Sequence, residues 1–238
     1  MSISLVLPRE DSHSTTFQRW WDMRGEWVEA PNQRRDGESG VQRIQRRDPS
    51  HGLLYSKRQV GHLYRSLRHP FGRPTALREY RALRAVERLG IRVPRVAYFA
   101  VCKTAGRWRA LLVTEELQGF VSLDQWYRDG YDRACGEALQ HQLLVQLARV
   151  LARLHRAGWQ HGCLYPKHIF VRIDGAVPEV ALLDLEKCRR RLSHRRASYK
   201  DLSQLRRHAE WLPPADWALF DAEYRQAWQA QNEEIDEF

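Results

Sequence analysis

From residue 77 onward the apolar positions Leu77, Tyr80, Leu83, Val86 and Leu89 recur at three-residue steps and stop at Gly90. That is the spacing of one helical face, and it predicts an amphipathic helix. Thr75 supplies an N-cap, and a loop rich in Pro and Gly (70–74) precedes it. Upstream, 41–45 alternates weakly, and 53–60 reads as a strand after the His51-Gly52 turn. The first fifty residues are otherwise polar and Trp-rich, with a turn-like segment at 35–40. Downstream, 96–101 and 109–114 predict two strands joined as a hairpin around Gly106. After 115–119 the character changes. Leu139, Leu143, Leu147, Val150, Leu151 and Leu154 form the stripe of a long helix ending near Gly158. Strands follow at 169–172 and 180–183 around a Gly175 turn, and the chain from Leu202 reads as helical with a break at Pro213-Pro214. Strands first and helices after is an α+β pattern. It predicts two lobes, 1–118 and 119–238, with the boundary near Gly119 and neither repeats nor low-complexity segments.

Composition narrows this picture. The 238 residues are 43% hydrophobic, enough for a substantial core in one large domain or two lobes. A formal charge of +10, from 39 basic and 29 acidic residues, favours anionic partners without choosing among nucleotides, nucleic acid and membrane surfaces. Cys102, Cys135, Cys163 and Cys188 are widely spaced with no C-x-x-C pair, which argues against a zinc module and for free thiols in a reducing compartment. Residues 1–10 lack the basic and long apolar regions of a signal peptide, and no apolar run approaches the ~20 residues that span a bilayer. The expected location is cytoplasmic, free or peripherally attached.

The densest chemistry lies in His161-Gly162-Cys163-Leu164-Tyr165-Pro166-Lys167-His168, running into Ile169-Phe170-Val171. Its layout is that of a protein-kinase catalytic loop, H-x-D-L-x-P-x-N, with Cys163 at the aspartate and His168 at the asparagine. Phosphoryl transfer needs a cation on the phosphates, carboxylates for Mg²⁺, and a carboxylate that takes the acceptor's proton. Candidates occur in the matching order. Lys57 on the 53–60 strand and Glu79 on the next helix could form the lysine–glutamate pair that aims a cation at phosphate, with Glu87 as rival; equally, both could be solvated surface charges. The strand and hinge from Leu112 through Glu115 to Leu117 would offer backbone groups to adenine. Gly37 and Gly40 do not make a G-x-G-x-x-G phosphate loop. Asp184, in D-L-E after an apolar strand, stands where a D-F-G aspartate binds Mg²⁺, or else ends a strand and caps a turn. His161 reads as packing beneath that aspartate.

Taken together, the 161–171 loop, the Asp184-Leu185-Glu186 segment and the Lys57/Glu79 pair resemble the lipopolysaccharide core kinase (Kdo/WaaP-like) family, in its InaA-like branch. The resemblance covers about residues 40–210. It implies a protein-kinase-like fold, with an antiparallel sheet and one helix in the N-lobe and a mainly helical C-lobe. It also implies ATP- and Mg²⁺-dependent phosphorylation of a Kdo or heptose hydroxyl of the lipopolysaccharide inner core. On that resemblance Lys57 binds phosphate, Glu79 orients it, and Asp184 with His168 holds metal. Asp201 braces the catalytic loop by accepting its N–H groups, unless it is an ordinary N-cap.

Cys163 departs from the family pattern, because a thiol is a poor proton acceptor there and losing a general base costs ~10²–10⁴ in rate. Three readings stay open: a slow kinase, a kinase with another base, and a pseudokinase that binds nucleotide or a partner. A reactive, redox-sensing Cys163, its pKa depressed by Lys167 and the histidines, is a further expectation. The basic run 187–196, with Arg189, Arg190, Arg191, Arg195 and Arg196, falls at the substrate-binding segment and would suit a phosphorylated sugar acceptor or anionic lipid headgroups. It could also be a solvated loop. Nucleic acid is disfavoured, since no recognised binding motif accompanies the basic balance.

Overall fold

The computed structural model describes residues 10–34, 37–46, 48–67 and 69–236. Residues 1–9, and Arg35 and Asp36 of the predicted turn, lie outside the described residues. The chain divides into two compact units. One holds the chain up to Leu77 together with Val96–Glu116, and the other holds Arg78–Arg95 with the chain from Leu117.

The first unit is built on an antiparallel sheet. Its elements are α1 (Glu10–Asp22), β1 (Glu26–Arg34), β2 (Gly37–Gln45), β3 (Leu53–Val60), β4 (Leu63–Ser66), β5 (His69–Pro74), the start of α2 (Thr75–Arg88), β6 (Val96–Thr104) and β7 (Arg107–Glu115). The five-stranded order is β1-β2-β3-β7-β6. Every predicted strand of this half is present. The β6–β7 hairpin turns through Ala105 and Gly106, both at positive φ (48° and 77°), the backbone that matches a right-handed strand twist.

Two elements of the polar N-terminal stretch were not predicted. Helix α1 has no long apolar stripe, and aromatic rings attach it to the sheet. Phe17 joins the core of Ile44, Leu54, Leu111 and Val113, and Trp20 stacks on Tyr98 at 5.1 Å. Buried Arg58 of β3 donates to the carbonyls of Trp21 and Met23, satisfying groups that the end of α1 leaves without helical partners. The predicted loop at 70–74 is instead β5, paired with β4 in a two-stranded ribbon where prolines interrupt no larger ladder. Helix α2 opens at Thr75, and its cap comes from the sheet: the Ala76 N–H donates to Gln59 Oε1 at 2.9 Å.

The second unit holds the rest of α2, then β8 (Val121–Ser122), α3 (Leu123–Arg128), α4 (Tyr131–Ala134), α5 (Glu137–Arg156), β9 (Trp159–Gln160), β10 (Ile169–Asp174), β11 (Val177–Leu182), β12 (Arg189–Arg190), α6 (His194–His208) and α7 (Pro214–Asp236). Leu143, Leu147, Val150, Leu151 and Leu154 of α5 are buried, as their spacing requires. Strands β10 and β11 form the predicted hairpin, β8 adds to its other edge, and β9 pairs with β12. Helix α6 starts at His194 rather than near 202, capped by the Ser193 hydroxyl, which accepts the Arg196 N–H at 3.2 Å. Its early turns carry charge, not an apolar stripe, so periodicity does not reveal them. The architecture is α+β, an antiparallel sheet with helices followed by a mainly helical half. Among the described residues, no helix is long and apolar enough to cross a membrane.

Candidate active site

The loop between β9 and β10 is held by its backbone. Gly162 has φ +79°, and a Cβ there would stand 2.8 Å from the Lys187 carbonyl oxygen, so only glycine lets the loop lie against the 185–187 turn. Helix α6 holds the loop from the other side. Asp201 accepts the His161 N–H at 2.6 Å and the Gly162 N–H at 2.9 Å, and its third neighbour is His155 Nε2 at 3.1 Å. One helical turn on, Gln204 Oε1 accepts the Leu164 N–H at 2.9 Å. Burial alone would raise the pKa of Asp201. The His155 hydrogen bond and charge, with the Gly162 N–H, outweigh it and hold the carboxyl below its ordinary value. His155 is fixed in turn by the Tyr224 hydroxyl at 2.8 Å, which reaches Ser198 Oγ at 2.8 Å. Asp201 therefore lies inside α6, and Ser193 is the N-cap.

Two groups with donor chemistry converge beside the loop. His168 Nδ1 lies 2.8 Å from the Cys163 carbonyl, an acceptor, so that nitrogen carries a proton, and in the neutral ring Nε2 keeps its lone pair. Nε2 is 3.6 Å from Asp184 Oδ2. Asp184 follows β11 in the left-handed region, φ 56° and ψ 63°, a conformation uncommon outside glycine and concentrated at functional sites. Among the described residues no three or more His, Cys, Asp or Glu groups are placed to hold a metal ion. The Asp184 carboxylate fits a hard divalent cation such as Mg²⁺, which takes its other ligands from phosphate oxygens and water, whereas the imidazole nitrogen of His168 is a ligand better suited to softer divalent ions.

Cys163 is 4% exposed. Burial, and then the charge of Asp184, push its thiol above the ordinary cysteine value, while Lys187 opposes them by charge and a side-chain hydrogen bond. The expected depression by Lys167 and the histidines is not found. The cation at the thiol is Lys187, and Cys163 is a protonated thiol at neutral pH. His161 is wholly buried beneath the loop, its ring stacked 6.4 Å from that of His168, and its Nδ1 accepts the Cys163 N–H at 3.3 Å. Burial pushes its pKa down to about 4, and its Nε2 has no hydrogen-bond partner among the described residues. It supports the loop, out of a substrate's reach.

Lys57 lies on β3, opposite Val41 and Leu112 in register, and Glu79 lies on the part of α2 that belongs to the second unit. The rival Glu87 is in an ion pair with Arg84 of its own helix at 2.7 Å. Glu115 is in an ion pair with Arg46 at 2.6 Å, and the Leu117 carbonyl accepts the Phe120 N–H at 3.1 Å. Of the basic run, Arg189 and Arg190 are exposed on β12 and Arg195 and Arg196 on the first turn of α6. Arg191 is committed: its Nε donates to Gln160 Oε1 at 2.7 Å. Sequence reasoning missed His155, Gln204 and Tyr224, and read Lys187 only as the head of the basic run 187–196. Only Gln204 carried a signal, standing three residues after Asp201 on one face of a helix.

The sequence profile of the Lipopolysaccharide kinase (Kdo/WaaP) family matches residues 18–224. Protein InaA of Escherichia coli (strain K12) is 41% identical over 208 residues, which cover 87% of this chain and 94% of the relative. Lipopolysaccharide core heptose(I) kinase WaaP of Pseudomonas aeruginosa is 29% identical over 136 residues, 55% of this chain and 51% of the relative. A solved structure described as WaaP in complex with acyl carrier protein aligns with a TM-score of 0.66 at 21% identity, covering 89% of this chain and 82% of that one. At that identity the likeness concerns the fold, which is protein-kinase-like.

Proposed function

We propose, from the premise that this chain belongs to the lipopolysaccharide kinase (Kdo/WaaP) family, that it transfers a phosphoryl group from ATP to a Kdo or heptose hydroxyl of the lipopolysaccharide inner core. The observation that most supports this is the convergence of Asp184 Oδ2 and the bare Nε2 of His168, 3.6 Å apart, beside a loop braced by Asp201. In this reading the lobe 1–118 supplies Lys57 to the nucleotide phosphates, with Glu79 orienting it, and the peptide groups around Glu115 and Leu117 receive adenine. The lobe 119–238 supplies the loop and the residues that hold metal, Asp184 and His168. Bound Mg²⁺ neutralises charge on the phosphate oxygens. Asp201 and Gln204 keep the loop's peptide groups fixed, so that the acceptor hydroxyl meets a preorganised backbone.

At the position of the base stands a protonated, buried thiol. It takes no proton from a sugar hydroxyl at neutral pH, and a loss of ~10²–10⁴ in rate follows. The protein is thus a slow kinase. That same thiol favours a second reading, a pseudokinase that binds nucleotide and serves as a scaffold or stress-response protein. In either reading it works at the cytoplasmic face, with exposed Arg189, Arg190, Arg195 and Arg196 toward an anionic acceptor or membrane surface.

The test is transfer of the γ-phosphoryl from labelled ATP to purified inner-core oligosaccharide, comparing wild type with Asp184→Ala. Slow transfer that Asp184→Ala abolishes is the expected result. Thermal stabilisation by Mg²⁺-ATP with no transfer overturns the kinase in favour of the pseudokinase, and no nucleotide-dependent shift in folded protein removes both.

A further inference from the structure

The β4–β5 ribbon of the first unit is built at its base and bare at its tip. Its strands pair from Leu63 opposite Pro74 to Ser66 opposite His69, and the chain reverses between the last two. At the base Gly72, with φ +82°, lies so close to Leu63 that a Cβ there would meet its side chain at 3.1 Å. The Arg73 guanidinium stacks 5.1 Å from the Trp108 ring of β7, and the Thr75 N–H donates to the His62 carbonyl at 3.1 Å. The tip is different. Among the described residues three large hydrophobic side chains are more than nine-tenths exposed, and Leu67 (103%) and Phe71 (92%) of this ribbon are two of them. We propose that this tip is a membrane anchor, which seats in the interfacial layer of a bilayer carrying anionic headgroups.

A lone exposed apolar side chain is ordinary on a protein surface. Two on one short ribbon, with arginines around them, are a different signal. From Gly61 to Leu77 the chain carries Arg65, Arg68 and Arg73 and neither Asp nor Glu. Arg65, two residues before Leu67, is exposed. A bilayer suits both features at once. Apolar side chains leave water for the boundary between headgroups and acyl chains, and each basic side chain near the surface gains from its negative potential. Stable attachment takes two such signals, and the ribbon has both. Size decides between a bilayer and a protein partner. A stable protein interface buries ~800 Å² on each side. A ribbon end with two apolar side chains offers far less, whereas a fluid bilayer closes around a convex tip.

Neither Leu67 nor Phe71 has a part in the candidate chemistry, so the anchor does not rest on the kinase reading. It is also distinct from the surface of Arg189 and Arg190, which belongs to the second unit. Removing those two charges is therefore the control.

Binding is measured on the full chain by vesicle sedimentation. Vesicles of phosphatidylethanolamine with phosphatidylglycerol are compared with vesicles of phosphatidylcholine alone. The anionic vesicles bind the protein, and the neutral ones bind it at least about tenfold more weakly. Leu67→Ser/Phe71→Ser leaves every charge in place and weakens binding to the anionic vesicles about tenfold or more. Arg65→Gln weakens it about fivefold. Phe71→Trp, which keeps an aromatic ring for the interface, binds as well as wild type. These side chains are exposed, so circular dichroism and the melting temperature stay as in wild type; Phe71→Ser alone carries the test should the double variant melt early. No binding to anionic vesicles, equal binding to both kinds, or undiminished binding of the serine variants overturns the proposal. Loss of binding in Arg189→Gln/Arg190→Gln with none in Leu67→Ser/Phe71→Ser assigns the contact to the basic run and overturns it as well.

Discussion

Asp201→Ala removes one carboxylate and strands three groups: the N–H groups of His161 and Gly162, and His155 Nε2. Asp201, His161 and His155 are all wholly buried, so water does not take the acceptor's place. A stranded buried donor costs ~1–3 kcal/mol, and bonds to an ionised acceptor stand at the upper end. Gly162 is only part-buried and counts for less, so the sum is about 3–6 kcal/mol. Set against a total stability of ~5–15 kcal/mol, and at ~2–4 °C per kcal/mol for a chain of this length, the melting temperature falls by about 10–20 °C. Asp184→Ala gives the contrast. Its side chain is 36% exposed and its neighbour, His168 Nε2, is 3.6 Å away, so the cost is about 1 kcal/mol or less. Asp201→Asn, keeping one amide oxygen, falls between. Differential scanning fluorimetry and urea unfolding on the same preparations measure all three. Melting of Asp201→Ala within ~3 °C of wild type, or equal losses in the two alanine variants, refutes the division between a bracing and a chemical aspartate.

Cys163→Asp places a carboxylate in contact with Lys187 and beside Asp184. If the base is the missing part, turnover of ATP with an inner-core acceptor rises ~10²–10⁴-fold, and unchanged turnover shows that more than the base is lost. His161 has a pKa of about 4 in the folded protein against 6.5 as its ordinary value, so the native state binds fewer protons than the unfolded chain between those pH values. Stability is therefore intact above pH ~6.5 and is lost as pH falls toward 4, by up to ~3 kcal/mol, which urea midpoints at pH 4.5 and 7 resolve. A flat profile in wild type, or the same slope in His161→Phe, contradicts that assignment. Gly162→Ala meets the Lys187 carbonyl with a Cβ at φ +79° and loses ~2 kcal/mol or more, with a matching loss of transfer. Wild-type stability there would show that the loop relaxes away from the 185–187 turn.

Much of the fold was legible in the chain, and for a local reason. The stripe from Leu77 to Leu89, the hairpin around Gly106, the α5 leucines and the spacing from His161 to Asp184 are patterns within a few turns or strands. Such periods express which face of an element must leave water. Helix α1 escaped because its attachment to the sheet rests on the single turn Phe17, Trp20 and Trp21, too short a stretch for a stripe to stand out. The first turns of α6 escaped because their sequence is basic.

The site divides in the same way. Spacing placed Cys163, His168 and Asp184 in one region and marked the missing aspartate. It did not reveal that Lys187 rather than Lys167 meets the thiol, or that His161 is sealed from proton chemistry. Nor did it reveal that Asp201, 40 residues from the His161 N–H it accepts, and Gln204 hold the loop. Those outcomes depend on which polar groups lose water together when distant segments pack. Burial then sets each group's charge and partner. Local periodicity carries the elements and the order of the chemical groups; the closing of the core around His155, His161 and Asp201 determines which of those groups can react.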